Sequence, residues 1–224
     1  MKTILTLLIG IITFSAIAQE TITKNVGDFH ELKVFDLMVV NLIQSNENKV
    51  VIKGDHTDDV QVINDDGKLK LRMELDTRFR GEDTYIEVYF TEIETIDANE
   101  GSYIVGNEMI EQKEINLKAQ EGGKIKVGLQ VDHTNIKAVT GGIVQASGLS
   151  KSQNIKLNTG GIFEGRDLKT QETKVRITAA GEADVNASNR VDVKVTAGGD
   201  VYVYGSPKEI NKKSVAGGRI KVMN

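Results

Sequence analysis

Between Asn116 and Val222, apolar and polar residues alternate in a pattern that returns six times, each return closing on a small-Gly or Gly-Gly pair. Counted at the second residue of the pair, the copies fall at Gly123, Gly142, Gly161, Gly181, Gly199 and Gly218, at spacings of 19, 19, 20, 18 and 19 residues. Six and four residues before each origin sit Leu117/Ala119, Ile136/Ala138, Ile155/Leu157, Val175/Ile177 and Val193/Val195. Lys212 and Ser214 break this series in the last copy. After the pair the alternation resumes as Ile125/Val127, Val144/Ala146, Ala183/Val185, Val201/Val203 and Ile220/Val222. A period of two predicts strands, and a fixed longer period predicts stacked coils. A looser third side is marked by Leu129, Leu149, Leu168 and Ala187. The expected fold is therefore all-β: a right-handed parallel β-helix (single-stranded β-solenoid) with coils of about 19 residues. Right-handedness follows from the drifting spacing, because left-handed hexapeptide helices keep a strict multiple of six.

The glycine pairs read as corners, where the backbone needs positive φ or has no room for a Cβ. They do not read as a phosphate-cradling loop, since no helix follows to present its N-terminus. Residues 100–224 form the regular part, with Glu100-Gly101-Ser102 as a degenerate first turn. Residues 19–99 are expected to be strands that begin the solenoid. They carry alternating runs at Leu32/Val34, Val50/Ile52, Leu69/Leu71/Met73 and Ile86/Val88/Phe90, and a hairpin turn at Asn64-Asp65-Asp66-Gly67. Lys212 and Ser214, in inward register on the last coil, are expected to discourage edge-to-edge strand addition there. No C-terminal barrel is expected to follow.

Residues 1–18 read as a secretory signal peptide. Lys2 supplies the charge, Ile4 to Ile12 the apolar region and Ala16-Ile17-Ala18 the cleavage site. That run is too short to span a bilayer, and no later stretch qualifies. The expected location is outside the cytoplasm: periplasmic, on the cell surface or secreted. With no Cys there is neither a lipid-attachment cysteine nor a disulfide framework. One Pro, no Trp and 22 Gly suit a repetitive β protein. The net charge of −4 favours solubility without naming a partner.

Against that acidic background, one register position is basic in every copy: Lys118, Lys137, Lys156, Arg176, Lys194 and Lys213. Each is flanked by inward residues, so these side chains must point outward and stack at the strand spacing of ~4.8 Å. Such a line matches an anionic polymer, an acidic polysaccharide first, with lipopolysaccharide or nucleic acid as alternatives. The lack of aromatic platforms argues against single-stranded nucleic acid. Beside it runs a second column, Asn116, Asn135, Asn154 and Asn211, interrupted by Lys174 and Asp192. Ile143 and Ile162 share an outward position where other copies are charged, which marks a candidate contact for a second copy or another partner. Glu164 and Asp184 fall on adjacent coils, close enough to raise one pKa. They lack a repeated Arg or His, and read as surface acids. His30, His56 and His133 have no metal-ligand spacing, and the acidic residues between Asp55 and Asp83 lack that of a calcium loop. No catalytic residue, metal or cofactor is predicted.

Several segments carry a family resemblance: Phe29-His30-Glu31-Leu32-Lys33-Val34, Gly67-Lys68-Leu69-Lys70-Leu71, and Ile86 to Phe90 leading into Ile96-Asp97-Ala98-Asn99-Glu100-Gly101-Ser102. Together with the Gly-Gly coils, they resemble the "putative auto-transporter adhesin, head GIN domain" family of exported proteins from Gram-negative bacteria. The resemblance implies a single-stranded right-handed β-solenoid over nearly all of the mature chain. It carries over no functional residue, since the family's activity is not established. Many relatives look like lipoproteins, from which this chain departs in lacking a lipobox Cys. The reading is a non-catalytic exported β-helix, an envelope adhesin or binding module for a polymeric, anionic-glycan ligand. The alternative is a structural envelope scaffold, with a polysaccharide lyase or hydrolase as a weaker third.

Overall fold

The computed structural model describes residues 21–223; the signal peptide expected at residues 1–18 lies outside them. The fold is a parallel β-solenoid with coils of roughly 19 residues, and no α-helix occurs among the described residues. Chain order and stacking order differ at the start. The first strands are β1 (Ile22–Asn25), β2 (Glu31–Val34), β3 (Val39–Gln44), β4 (Lys49–Gly54) and β5 (Val60–Asp65). They are followed by β6 (Lys68–Met73), β7 (Thr84–Phe90) and β8 (Thr95–Ala98). β2 and β3 make the first coil, and β6 and β7 the second, lying beneath the first in parallel. The third, beginning with β8, stacks on the opposite face of the first. Below the second coil, β5 and β4 run antiparallel to β6 and β7, and β1 covers β4. The predicted hairpin is the β5–β6 turn, with Asp66 and Gly67 both at positive φ.

From there, each long strand bends through a full coil and pairs in parallel with the one before. The series runs β9 (Tyr103–Ala119), β10 (Lys124–Val139), β11 (Ile143–Asn158), β12 (Gly161–Ala179) and β13 (Gly181–Ala197). The last coil is divided into β14 (Asp200–Tyr204), β15 (Glu209–Ala216) and β16 (Arg219–Val222). The inward columns match the sequence reading: Leu117, Ile136, Ile155, Val175 and Val193 are all buried and stacked in register. Lys212 and Ser214 continue this column and the next, but both are exposed on the last coil.

One sequence expectation fails on the third side. Leu129, Leu168 and Ala187 are buried, but Leu149 is 53% exposed. Gly148 takes the inward place instead, paired with Leu129 below and Leu168 above. Alternation within β11 runs unbroken from buried Val144 and Ala146 through Gly148 to buried Ser150, so Leu149 faces out. The register shift against β12 comes from one extra residue on β12, between Glu164 and Leu168. A Cβ on Gly148 would strike the Leu129 carbonyl, so this inward place takes a glycine.

The corners explain the glycine pairs. In the turn Gln120-Glu121-Gly122-Gly123 the two central residues have φ of 51° and 75°, and the Gly123 N–H donates to the Gln120 carbonyl at 2.8 Å. Two positive φ values define a type I′ turn, which recurs at Thr140-Gly141 and Thr159-Gly160. The second glycine serves a different need. A Cβ on Gly123, Gly142 or Gly161 would strike the backbone carbonyl of Ala98, Ala119 or Ala138 on the coil beneath.

Candidate functional site

The corner after strand segments 115–119, 134–139, 153–157 and their equivalents leaves one flat side whose outward residues fall in three columns. The middle one is amide-rich. Asn116, Asn135 and Asn154 pair directly, followed by Lys174, Asp192 and Asn211. The basic column stacks as expected, Lys118 to Lys137 to Lys156 to Arg176 to Lys194 to Lys213, each Cα paired with the next.

The structure extends this column beyond what chain order reveals. Asp97 pairs with Lys118, Lys33 with Asp97, and Lys70 with Lys33. Nine stacked positions therefore hold eight cations and one carboxylate. Asp97 is buried, bonded to the Lys33 ammonium at 3.2 Å and to the side-chain amides of Asn99 and Gln120, both at 3.1 Å. Glu31 pairs with Lys68 at 3.5 Å and stands 3.9 Å from Lys118. Lys33 and Lys118 on the lower coils thus have their own counter-ions, while Lys70 has none among the described residues. From Lys137 upward, no described carboxylate forms an ion pair with Lys137, Lys156, Arg176, Lys194 or Lys213. Five like charges at ~4.8 Å spacing repel one another, and ~10 Å screening does not reach between neighbours. A shared signal in the sequence marks the missed members: Leu32-Lys33-Val34, Leu69-Lys70-Leu71 and Ile96-Asp97-Ala98 repeat the apolar–charged–apolar triplet of Leu117-Lys118-Ala119.

The third column, at the next corner, is Glu114, His133, Ser152, Glu172, Arg190 and Glu209. Between it and the amide column lies a groove of about 540 Å³ lined by Glu114, His133, Asn135, Ser152, Asn154, Glu172 and Lys174 among others. At its lower end the Asn135 amide donates to Glu114 at 2.7 Å and to Asn116 at 3.2 Å. At the upper end, Arg190 holds Asp192 at 2.9 Å, and the Asn211 amide donates to both Asp192 and Glu209 at 2.9 Å. The Arg190 and Asn211 hydrogen bonds hold the Asp192 carboxyl below its ordinary pKa. His133 Nδ1 lies 2.8 Å from Ser152 Oγ.

Glu164 and Asp184 lie on another side, paired across adjacent coils as expected. Burial first, then Glu182 and Glu164, push the Asp184 carboxyl above its ordinary pKa, with Arg166 opposing. Ile143 and Ile162 are also paired and only half-buried, between Lys124 below and Glu182 above. His30 lies against the Gly67 turn and His56 beside Asp59, both far along the chain from His133. Among the described residues, no three His, Asp or Glu side chains converge as a metal site, and no helix is long and apolar enough to cross a membrane.

The profile of the family described as "Putative auto-transporter adhesin, head GIN domain" matches residues 28–207. The chain belongs to this family. Solved structures of three similar proteins share its fold. A putative adhesin of Bacteroides fragilis superposes with a TM-score of 0.84 at 17% identity, covering 93% of this chain and 98% of that one. A putative adhesin of Parabacteroides merdae gives 0.70 at 13% identity, with the same coverage of both chains. A protein of Parabacteroides distasonis described as a putative lipid binding protein gives 0.69 at 16% identity, again over 93% and 98%. No curated protein sequence matches this head GIN domain chain.

Proposed function

We propose that this chain is an exported, non-catalytic binding module of the cell envelope that holds an anionic polymer along the basic side of its β-helix. The observation that carries the reading is the run Lys137, Lys156, Arg176, Lys194 and Lys213. These cations stack in register on five successive coils with no paired counter-ion among the described residues. A protein that is acidic overall gains nothing for folding from such a line, and a ligand with regularly spaced negative charges would relieve its repulsion. The adhesin descriptions of the family and of two similar structures agree with a binding role. The test is binding of heparin and polygalacturonate, with neutral dextran as control, at low and at raised salt. Wild type should bind both polyanions with affinity that falls as salt rises. Lys137→Gln, Lys156→Gln and Arg176→Gln should weaken binding stepwise, while slightly raising the melting temperature by removing repulsion. Salt-insensitive binding, or a triple variant that binds like wild type, would sink the idea.

A second contact is proposed at Ile143 and Ile162, where two stacked aliphatic side chains interrupt a charged column. The patch suits a second copy of this chain. Static light scattering should show wild type larger than monomer and an Ile143→Lys, Ile162→Lys variant monomeric. A monomeric wild type ends this assignment.

A further inference from the structure

The three columns of the basic side are not uniform along the solenoid. At the lower end of the groove, Glu114, Asn116 and Asn135 hydrogen-bond one another. At the upper end, Arg190, Asp192, Glu209 and Asn211 do the same. Between them lie Asn154, Glu172 and Lys174. Among the described residues, no side-chain hydrogen bond or ion pair is formed by any of the three, although all line the groove. Asn154 pairs with Lys174 across adjacent coils, and Ser152 with Glu172. Immediately beside them in the basic column stand the likewise unpaired Lys156 and Arg176. A section two coils deep therefore presents a free amide, a free carboxylate and one free cation in the groove, with two more free cations in the column beside it. At each end stand side chains that satisfy one another.

We infer that this central section is the recognition site for a carboxylated polysaccharide lying parallel to the solenoid axis, with one sugar per coil. The inference rests on the polymer-binding reading above and names the ligand class of that site. Three features select the chemistry. The cations match a charge repeated once per coil at ~4.8 Å, comparable to the length of one pyranose ring along a polymer. The Asn154 amide both donates and accepts, which suits sugar hydroxyls. Glu172 is the discriminating group: it accepts hydrogen bonds from hydroxyls but repels a dense polyanion such as polyphosphate or a nucleic-acid backbone. The groove volume of about 540 Å³ falls within the range that buries small ligands and short polymer segments.

The experiment measures binding of polygalacturonate and of inorganic polyphosphate to the purified protein and to three variants, with melting curves to show that each is folded. Wild type should prefer polygalacturonate. Asn154→Ala with Glu172→Ala should weaken polygalacturonate binding about tenfold, through the lost hydrogen bonds, and should strengthen polyphosphate binding. Asn211→Ala, in the self-paired upper cluster, should change neither. Equal or tighter binding of polyphosphate by wild type overturns the assignment. So does an Asn154, Glu172 variant that binds polygalacturonate as wild type does while the Lys137, Lys156, Arg176 variant loses it; that result leaves the basic-column reading standing. Absence of binding to either polymer removes both.

Discussion

Ile155→Asp is expected to unfold the protein or to lower its stability by about 5 kcal/mol or more. Ile155 is fully buried and stacked between Ile136 and Val175, which are themselves buried. The substitution removes aliphatic volume from a packed column, a loss worth about 2–5 kcal/mol. It also places a carboxylate where every neighbour in the column is apolar, and an unpaired buried charge adds a further penalty. Whole domains are stable by only about 5–15 kcal/mol, so little margin remains. The adjacent Lys156→Asp is the internal control. Its side chain is exposed, so stability should change by roughly 0.5 kcal/mol or less. Thermal denaturation of the pair decides: an Ile155→Asp variant melting like wild type would show the inward register to be wrong.

The second large effect is expected at a corner, and it separates two adjacent glycines. Gly141 has φ of 71° but a Cβ there meets nothing within 4 Å. Gly141→Ala should therefore cost only the left-handed backbone preference, about 1 kcal/mol. Gly142→Ala should cost about 3 kcal/mol or more, because its Cβ would collide with the Ala119 carbonyl of the coil below. That obstacle is backbone and is itself part of the parallel ladder, so it cannot swing aside as a side chain would. Ser102 shows what replacing the glycine requires. In the equivalent place its hydroxyl donates to the Val34 carbonyl at 3.0 Å and accepts from the Asn99 N–H at 3.1 Å. Chemical denaturation of both variants measures the contrast. Equal losses at the two positions would mean that coil-to-coil contact does not dictate the second glycine.

These corners also show why so much of the fold was legible. Inward and outward positions follow from strand alternation, and the Gly-Gly turns fix where each alternation restarts. Ile136, Ile155 and Val175 therefore fall into one column without reference to distant contacts. The reading weakened where hydrophobicity and alternation disagree. Leu149 is the natural inward choice by hydrophobicity, yet alternation from Val144 and Ala146 gives that place to Gly148. The basic column was legible from Lys118 to Lys213 because those residues recur at the coil period. Lys33, Lys70 and Asp97 were not placed in it, since stacking of the first coils departs from chain order. The free section of the groove was invisible as well. Which of Asn135, Asn154 and Asn211 finds a partner depends on side chains from neighbouring coils, and no spacing rule encodes that.

The reversed order of the first coils sets how this chain can be built. Residues 21–90 contain the first coil, the coil beneath it and the antiparallel strands that cover that lower coil. As the chain emerges N-terminus first, this segment gives a base closed on one side by strands of opposite direction. Its other side is the bare edge of β2 and β3, which receives β8 and β9. Every later coil then meets a template already in place, one period away in sequence, with the short loop closures that favour rapid folding. Because the lower coil is already paired with strands of the opposite direction, the parallel coils are expected to add on one side only, like a zip that runs from a fixed end.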